Sequence, residues 1–171
     1  MSIFKNMTGS RMKGFDRLDW SPGRYLARID SVKVEESRDN RSYVKIRSTV
    51  LKVLENEGDG ALPVGAEPAQ ALFPDSFGFF ESDMKKLFRA ALDLSREEAD
   101  GLDGPATDRI LEGGLTEGRV VDVSVFMKTV HSKRQGKDVD VMEITYSPAP
   151  WTGVVETLGK AGVKKWSLTK P

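Results

Sequence analysis

Hydrophobic and polar positions alternate along two early runs, Gly23–Val34 (GRYLARIDSVKV) and Ser42–Leu54 (SYVKIRSTVLKVL). The first opens directly after Ser21-Pro22, and the charged turn EESRDNR separates the two. Period-two alternation predicts paired strands. In the second run it puts Val44, Ile46 and Val50 on one face and Tyr43, Lys45 and Arg47 on the other. The segment ENEGDGALPVG then reads as a loop rich in Gly and Pro. A short third strand is expected over roughly Glu67–Phe73.

The period changes after PDSFGFFES. Met84, Leu87, Phe88, Ala91 and Leu92 recur at helical spacing, with Ser82 as the expected N-cap and Lys85, Lys86 and Arg89 on the solvent side. Ser95 and Glu98 stand three apart, the spacing of a capping box, so a second helix is expected to start there. The remainder through EGGLTEG reads as loop. Alternation resumes in Arg119–Thr129, and the turn HSKRQGKD leads to a last strand over Val139–Tyr146.

Three strands, a helix and two strands is the element order of an OB-fold, a mainly β, five-stranded Greek-key barrel with one helix between strands 3 and 4. The expected organisation is an N-terminal arm over residues 1–20, an OB-like domain over 21–150 and a C-terminal tail over 151–171.

Composition narrows the function. The chain has 171 residues, enough for one cored domain, and no cysteine. Disulfides, thiol catalysis and cysteine-held zinc are excluded. No apolar run reaches membrane-spanning length, and MSIFKNMTGSRMKGF is too polar for a signal-peptide core. A soluble protein without a membrane partner is expected. Formal net charge is zero, which counts against a strong non-specific polyanion binder. The charge is uneven, however. Lys5, Arg11, Lys13, Arg17, Arg24 and Arg28 face only Asp16 and Asp19 in the first 28 residues. A neutral sum can hide a basic groove.

Two stretches carry candidate binding chemistry. The face with Tyr43, Lys45 and Arg47 interleaves an aromatic ring with two cations, as a surface for single-stranded nucleic acid does. The same pattern also arises from ordinary polar-out alternation on a half-exposed strand. The hairpin KTVHSKRQGK carries Lys128, Lys133, Arg134 and Lys137 with His131 and no acid. In an OB-fold this loop can bind oligonucleotides, although lysines at a hairpin also guard against edge-to-edge pairing. Phe126 shares a strand face with Lys128 and faces either a ligand or the helix. Of the crowded Phe73, Phe77, Phe79 and Phe80, the core is expected to hold Phe73 and Phe80, and Phe77 is the ring expected to be exposed. Trp20, Trp151 and Trp166 flank the regular elements, where they either mark contacts or pin the ends to the domain.

Catalytic motifs are absent. His131 is the sole histidine, and neither GxxxxGK[ST], GxGxxG nor GxSxG occurs. Asp138 and Asp140 share a strand face, and Asp122 opposite them would complete a Mg²⁺-binding trio for a nuclease. The alternative is ordinary cross-strand pairing with the hairpin lysines. No enzyme activity and no cofactor are expected.

The run Pro22-Gly-Arg-Tyr25-Leu-Ala-Arg-Ile29 with Tyr43-Val-Lys-Ile46, then Val64-Gly65, Asp83-Met-Lys-Lys-Leu87-Phe-Arg-Ala-Ala91-Leu, Leu115-x-x-Gly118-Arg-Val-Val121 and the basic hairpin resembles small phage single-stranded-DNA-binding proteins. The resemblance covers roughly Trp20 to Trp151. It implies an OB-like fold and non-catalytic coating of single-stranded DNA during replication or recombination, in the cytoplasm of an infected bacterial host. Homo-oligomers and replication or recombination proteins are the partners it suggests. The chain departs from the pattern in ending KKWSLTKP rather than in an acidic tail. Its neutral charge and non-acidic ends suit an alternative, an OB-like structural or assembly protein of a phage particle.

Overall fold

The alternating early runs build a long antiparallel hairpin, β1 (Gly23–Glu36) and β2 (Ser42–Asn56). A four-residue strand, β3 (Ala69–Leu72), pairs with the first half of β2. Three helices follow, α1 (Phe79–Leu92), α2 (Arg96–Asp100) and α3 (Gly104–Glu112). A second hairpin, β4 (Val120–Ser132) and β5 (Lys137–Pro148), completes the sheet through β1. The computed structural model describes residues 19–56, 60–74 and 79–149. The expected tail, Phe77, Trp151, Trp166 and all of the expected arm except Asp19 and Trp20 lie outside the described residues.

All four strand pairings are antiparallel, in the order β3-β2-β1-β4-β5. The mainly β expectation holds, with a helix between the third and fourth strands. The expected barrel does not close: the sheet is open, and its edges, β3 and β5, do not pair. β3 at one edge is only four residues long and pairs with β2. A side-chain link spans the seam instead. The Tyr146 hydroxyl on β5 donates to Gln70 Oε1 on β3 at 2.7 Å. Burial, and after it the charge of Asp83, pushes the Tyr146 phenol well above its ordinary pKa, so it keeps its proton.

The β1–β2 ladder is irregular, with the extra residue in β2 at two shifts and in β1 at one. Register shifts fall between Arg24 and Tyr25, between Leu26 and Ala27, and between Ile29 and Ser31. Such bulges bend a strand and redirect side chains. Tyr25, Leu26 and Ala27 are buried in succession because both faces of β1 are covered here. Tyr25 and Ala27 enter the main core, whereas Leu26 joins Val120, Leu51, Leu54 and Ala149 in a smaller cluster. The Tyr25 hydroxyl donates to the Ser21 carbonyl at 2.8 Å and accepts the Leu62 N–H at 3.1 Å. Gly23 is required beside it. A Cβ there would sit 2.9 Å from the Tyr25 hydroxyl, at a φ of +151° that disfavours any side chain.

The main core forms between the sheet and α1. Met84, Leu87, Phe88, Ala91 and Leu92 bury the expected helical stripe against Val121, Val123, Val125 and Tyr146. α1 starts at Phe79, a turn before the expected cap. The capping box at α2 is present, with Ser95 and Glu98 satisfying each other's backbone N–H. α3 occupies a segment read as loop. Asp103 caps it by accepting the Ala106 N–H at 2.8 Å, and Pro105 stands in its first turn. Trp20 is buried against Tyr25 with ring centroids 5.4 Å apart, so the folded body includes the residue expected at its entrance. No helix among the described residues is long and apolar enough to cross a membrane.

Candidate nucleic-acid interface

The hairpin register sets what Tyr43, Lys45 and Arg47 meet. Tyr43 lies opposite Glu35, Lys45 opposite Lys33, and Arg47 opposite Ser31. Residues 37–41 make the turn, closed by the Ser37 N–H bonding to the Arg41 carbonyl at 2.9 Å, with Asn40 at φ +57°. Glu35 then becomes the hub of the face. Tyr43 donates its hydroxyl to Glu35 Oε2 at 3.0 Å, Lys45 Nζ stands 3.7 Å from the same oxygen, and Arg47 Nη2 stands 3.6 Å from Oε1. Burial alone would push the Glu35 carboxyl up. The Tyr43 hydrogen bond and the two cations outweigh it and hold the carboxyl below its ordinary range.

An aromatic pair extends the face. Phe73 follows the last residue of β3, and its ring stacks on Tyr43 with centroids 5.1 Å apart and planes at 27°. The Arg41 guanidinium lies 5.4 Å from the Phe73 centroid, a cation–π distance. Phe73 was expected in the core and is instead half-buried on this surface, because the residue after Leu72 turns to the Tyr43 side of β2. Phe80 does pack against the core. Arg41, Tyr43, Lys45 and Phe73 help wall a cleft of about 670 Å³ at the turn end of the β1–β2 hairpin. Asp19, Glu36 and Asp39 balance Arg38, Arg41 and Lys45 around it.

The second candidate group lies on the β4–β5 hairpin. Residues 133–136 form its tip, closed by the Gly136 N–H bonding to the Ser132 carbonyl at 2.7 Å, with Gly136 at φ +64°. The strands run further toward the tip than the alternation suggested, so His131, Ser132, Lys137 and Asp138 pair within the ladder. Its distal half is exposed on both faces. Phe126 is 37% exposed and Met127 52% exposed, and Val141 and Met142 are also open to solvent. Phe126 pairs with Glu143 on the face that carries Lys128 and Val141. α1 packs on the other face, against Val123, Val125 and Tyr146, so Phe126 does not lie under the helix.

Charges on the hairpin divide sharply. Lys128 Nζ stands 3.7 Å from Glu143 Oε2, and His131 Nδ1 stands 2.9 Å from Asp138 Oδ1. Lys133, Arg134 and Lys137 are exposed and form no ion pair among the described residues. The expected carboxylate trio does not assemble. Asp138 is engaged with His131, and Asp140 accepts from Thr129 Oγ1 at 2.8 Å. Asp122 sits on the opposite face, where Arg24 grips both of its oxygens through Nε and Nη2 at 2.6–3.1 Å. No group of three or more His, Asp or Glu side chains suited to a metal occurs among the described residues.

The structure thus brings Tyr43, Lys45 and Arg47 together around Glu35, and brings Phe126, Lys128, Lys133, Arg134 and Lys137 onto one hairpin. It does not join the two groups through the sheet. Tyr43 pairs near the last residue of β1, whereas Phe126 lies one position beyond the partner of its first, Gly23. Sequence reasoning missed Glu35, Arg41 and the outward turn of Phe73. The available signal was register: a five-residue turn after Glu36 places Glu35 opposite Tyr43. Compared with known proteins, the chain matches no family model and no curated relative.

Proposed function

We propose that this protein binds single-stranded DNA without catalysis, as the phage replication and recombination proteins it resembles do. The observation that carries the reading is the projecting β4–β5 hairpin, which presents Lys133 and Arg134 at its tip and Lys137 beside it without ion-pair partners among the described residues. Such cations exchange their counterions for phosphates, so affinity falls as salt rises. Phe126, exposed on the Lys128 face of the same hairpin, adds a ring on which a base can stack. The Tyr43–Phe73 pair with Arg41 offers a second stacking surface. Its balanced charge suits it to bases more than to the phosphate track.

Charge reversal at the tip tests this. K133E/R134E leaves the ladder and the core untouched and is expected to weaken oligo-dT binding at least tenfold at low salt, while flattening its salt dependence. Tyr43→Ala is expected to cost about 1–3 kcal/mol of binding if a base stacks there. Unchanged affinity in K133E/R134E removes the hairpin from the interface.

One observation favours a second reading, an assembly role in a phage particle. Met127, Val141 and Met142 expose apolar surface along the same hairpin, as a protein contact does more often than a nucleic-acid groove. That role gives no affinity for oligo-dT at any salt.

A further inference from the structure

We infer that β5 is a dimerisation strand, pairing antiparallel with β5 of a second copy of this chain about a two-fold axis at Asp140. β5 is a sheet edge: β4 is its only hydrogen-bonded strand among the described residues. Backbone N–H and C=O groups along such an edge are a template for another strand. The sequence that borders the edge, Lys137-Asp-Val-Asp-Val-Met-Glu143, is complementary to itself when reversed. With Asp140 opposite its own copy, Lys137 meets Glu143 of the second copy, and Val139 meets Val141, each twice by symmetry. The four residues of that set share the face of Phe126 and Lys128, so the ion pairs flank an apolar centre.

Charged residues on an edge usually block pairing. Here the order of the signs decides. Moving the axis to Val139 sets Asp138 against Asp140 twice, juxtaposing like charges, and moving it to Val141 sets Val139 against Glu143 and Lys137 against Thr145, which leaves both charges without an opposite partner. The Asp140 register has one like-charge contact, on the axis itself. Thr129 Oγ1 already donates to that carboxylate at 2.8 Å. Lys137 has no ion pair within the described residues, and so gains one on pairing. Lys133 and Arg134 stay at the two outer tips of the resulting four-stranded ribbon.

Sedimentation equilibrium of the full chain, without nucleic acid, tests the inference. A monomer–dimer equilibrium is expected at concentrations up to about 100 μM, the weak end for a specific contact. K137E sets two glutamates against each other at both ends and is expected to raise the dimer dissociation constant about tenfold, and E143K should do the same with two lysines. The double variant K137E/E143K restores opposite signs and should return toward the wild-type constant. Asp140→Asn removes the like charges on the axis and should tighten the dimer severalfold. E143K also loses the Lys128 contact. K137E, which breaks no ion pair in the monomer, therefore carries the test alone if E143K misfolds. A monomer throughout the range overturns the inference, as does a dimer indifferent to K137E or one weakened by Asp140→Asn. A swap that fails to rescue folded protein overturns the register.

Discussion

Glu35 holds three side chains that would otherwise face solvent. Its carboxylate is contacted by Tyr43, Lys45 and Arg47, all from the neighbouring strand. It is about one-third exposed, so solvent screening keeps its contribution under about 1 kcal/mol. Because these partners lower the folded-state pKa, the contribution is present above the ordinary carboxyl value of 4.5. It is lost as pH falls below that value through the lowered one. E35Q is therefore expected to be slightly less stable than wild type at pH 7, with the difference gone at low pH. Urea denaturation at both ends of that range checks it; a gap that widens in acid contradicts the clamp. The alternation that put Tyr43, Lys45 and Arg47 on one face was legible from the second strand alone. Their anion was not, because it belongs to the first strand and enters only through register. Phe73 was misread for a related reason: phenylalanine is usually buried, and only the end of a four-residue strand decides which side it turns to.

Local signals fixed some elements and hid others. The α2 capping box was readable because both partners lie within four residues, with Ser95 Oγ accepting the Glu98 N–H at 3.1 Å and Glu98 Oε2 accepting the Ser95 N–H at 2.8 Å. Ser95→Ala is expected to cost about 1 kcal/mol of stability. The shift in urea midpoint measures it, and no shift would mean that α2 adds nothing to the cooperative unit. α3 carried equivalent signals in Asp103, Pro105 and Ile110. Glycines on both sides, at 104 and at 113–114, made the stretch read as loop. In the second hairpin, residues near the tip look like turn by composition. The four-residue turn 133–136 and Gly136 at positive φ let the ladder run on, which places the free cations at its end rather than along a loose loop.

Across the whole molecule, strand number, antiparallel pairing and the place of α1 were legible, because each follows from periodicity and short connections. Closure was not. It depends on edges far apart in sequence: the hydrogen bond across the seam, Tyr146 to Gln70, joins residues 76 positions apart. Tyr146→Phe deletes that hydrogen bond and leaves the buried ring in place. It is expected to cost about 1–2 kcal/mol. Equal urea midpoints for the variant and wild type would show that the two sheet edges are held by packing alone. The same long-range geometry separates the two candidate binding groups, which the registers place at opposite ends of β1. The proposed single-strand binding therefore rests first on the projecting hairpin.

The most direct test is fluorescence anisotropy of a labelled oligo-dT of about 30 nucleotides, beside a duplex of equal length, at low and moderate salt. The account expects binding to the single strand in preference to the duplex, falling steeply with salt and lost with K133E/R134E. No affinity for the single strand even at low salt would contradict it and leave the assembly role as the reading of the hairpin.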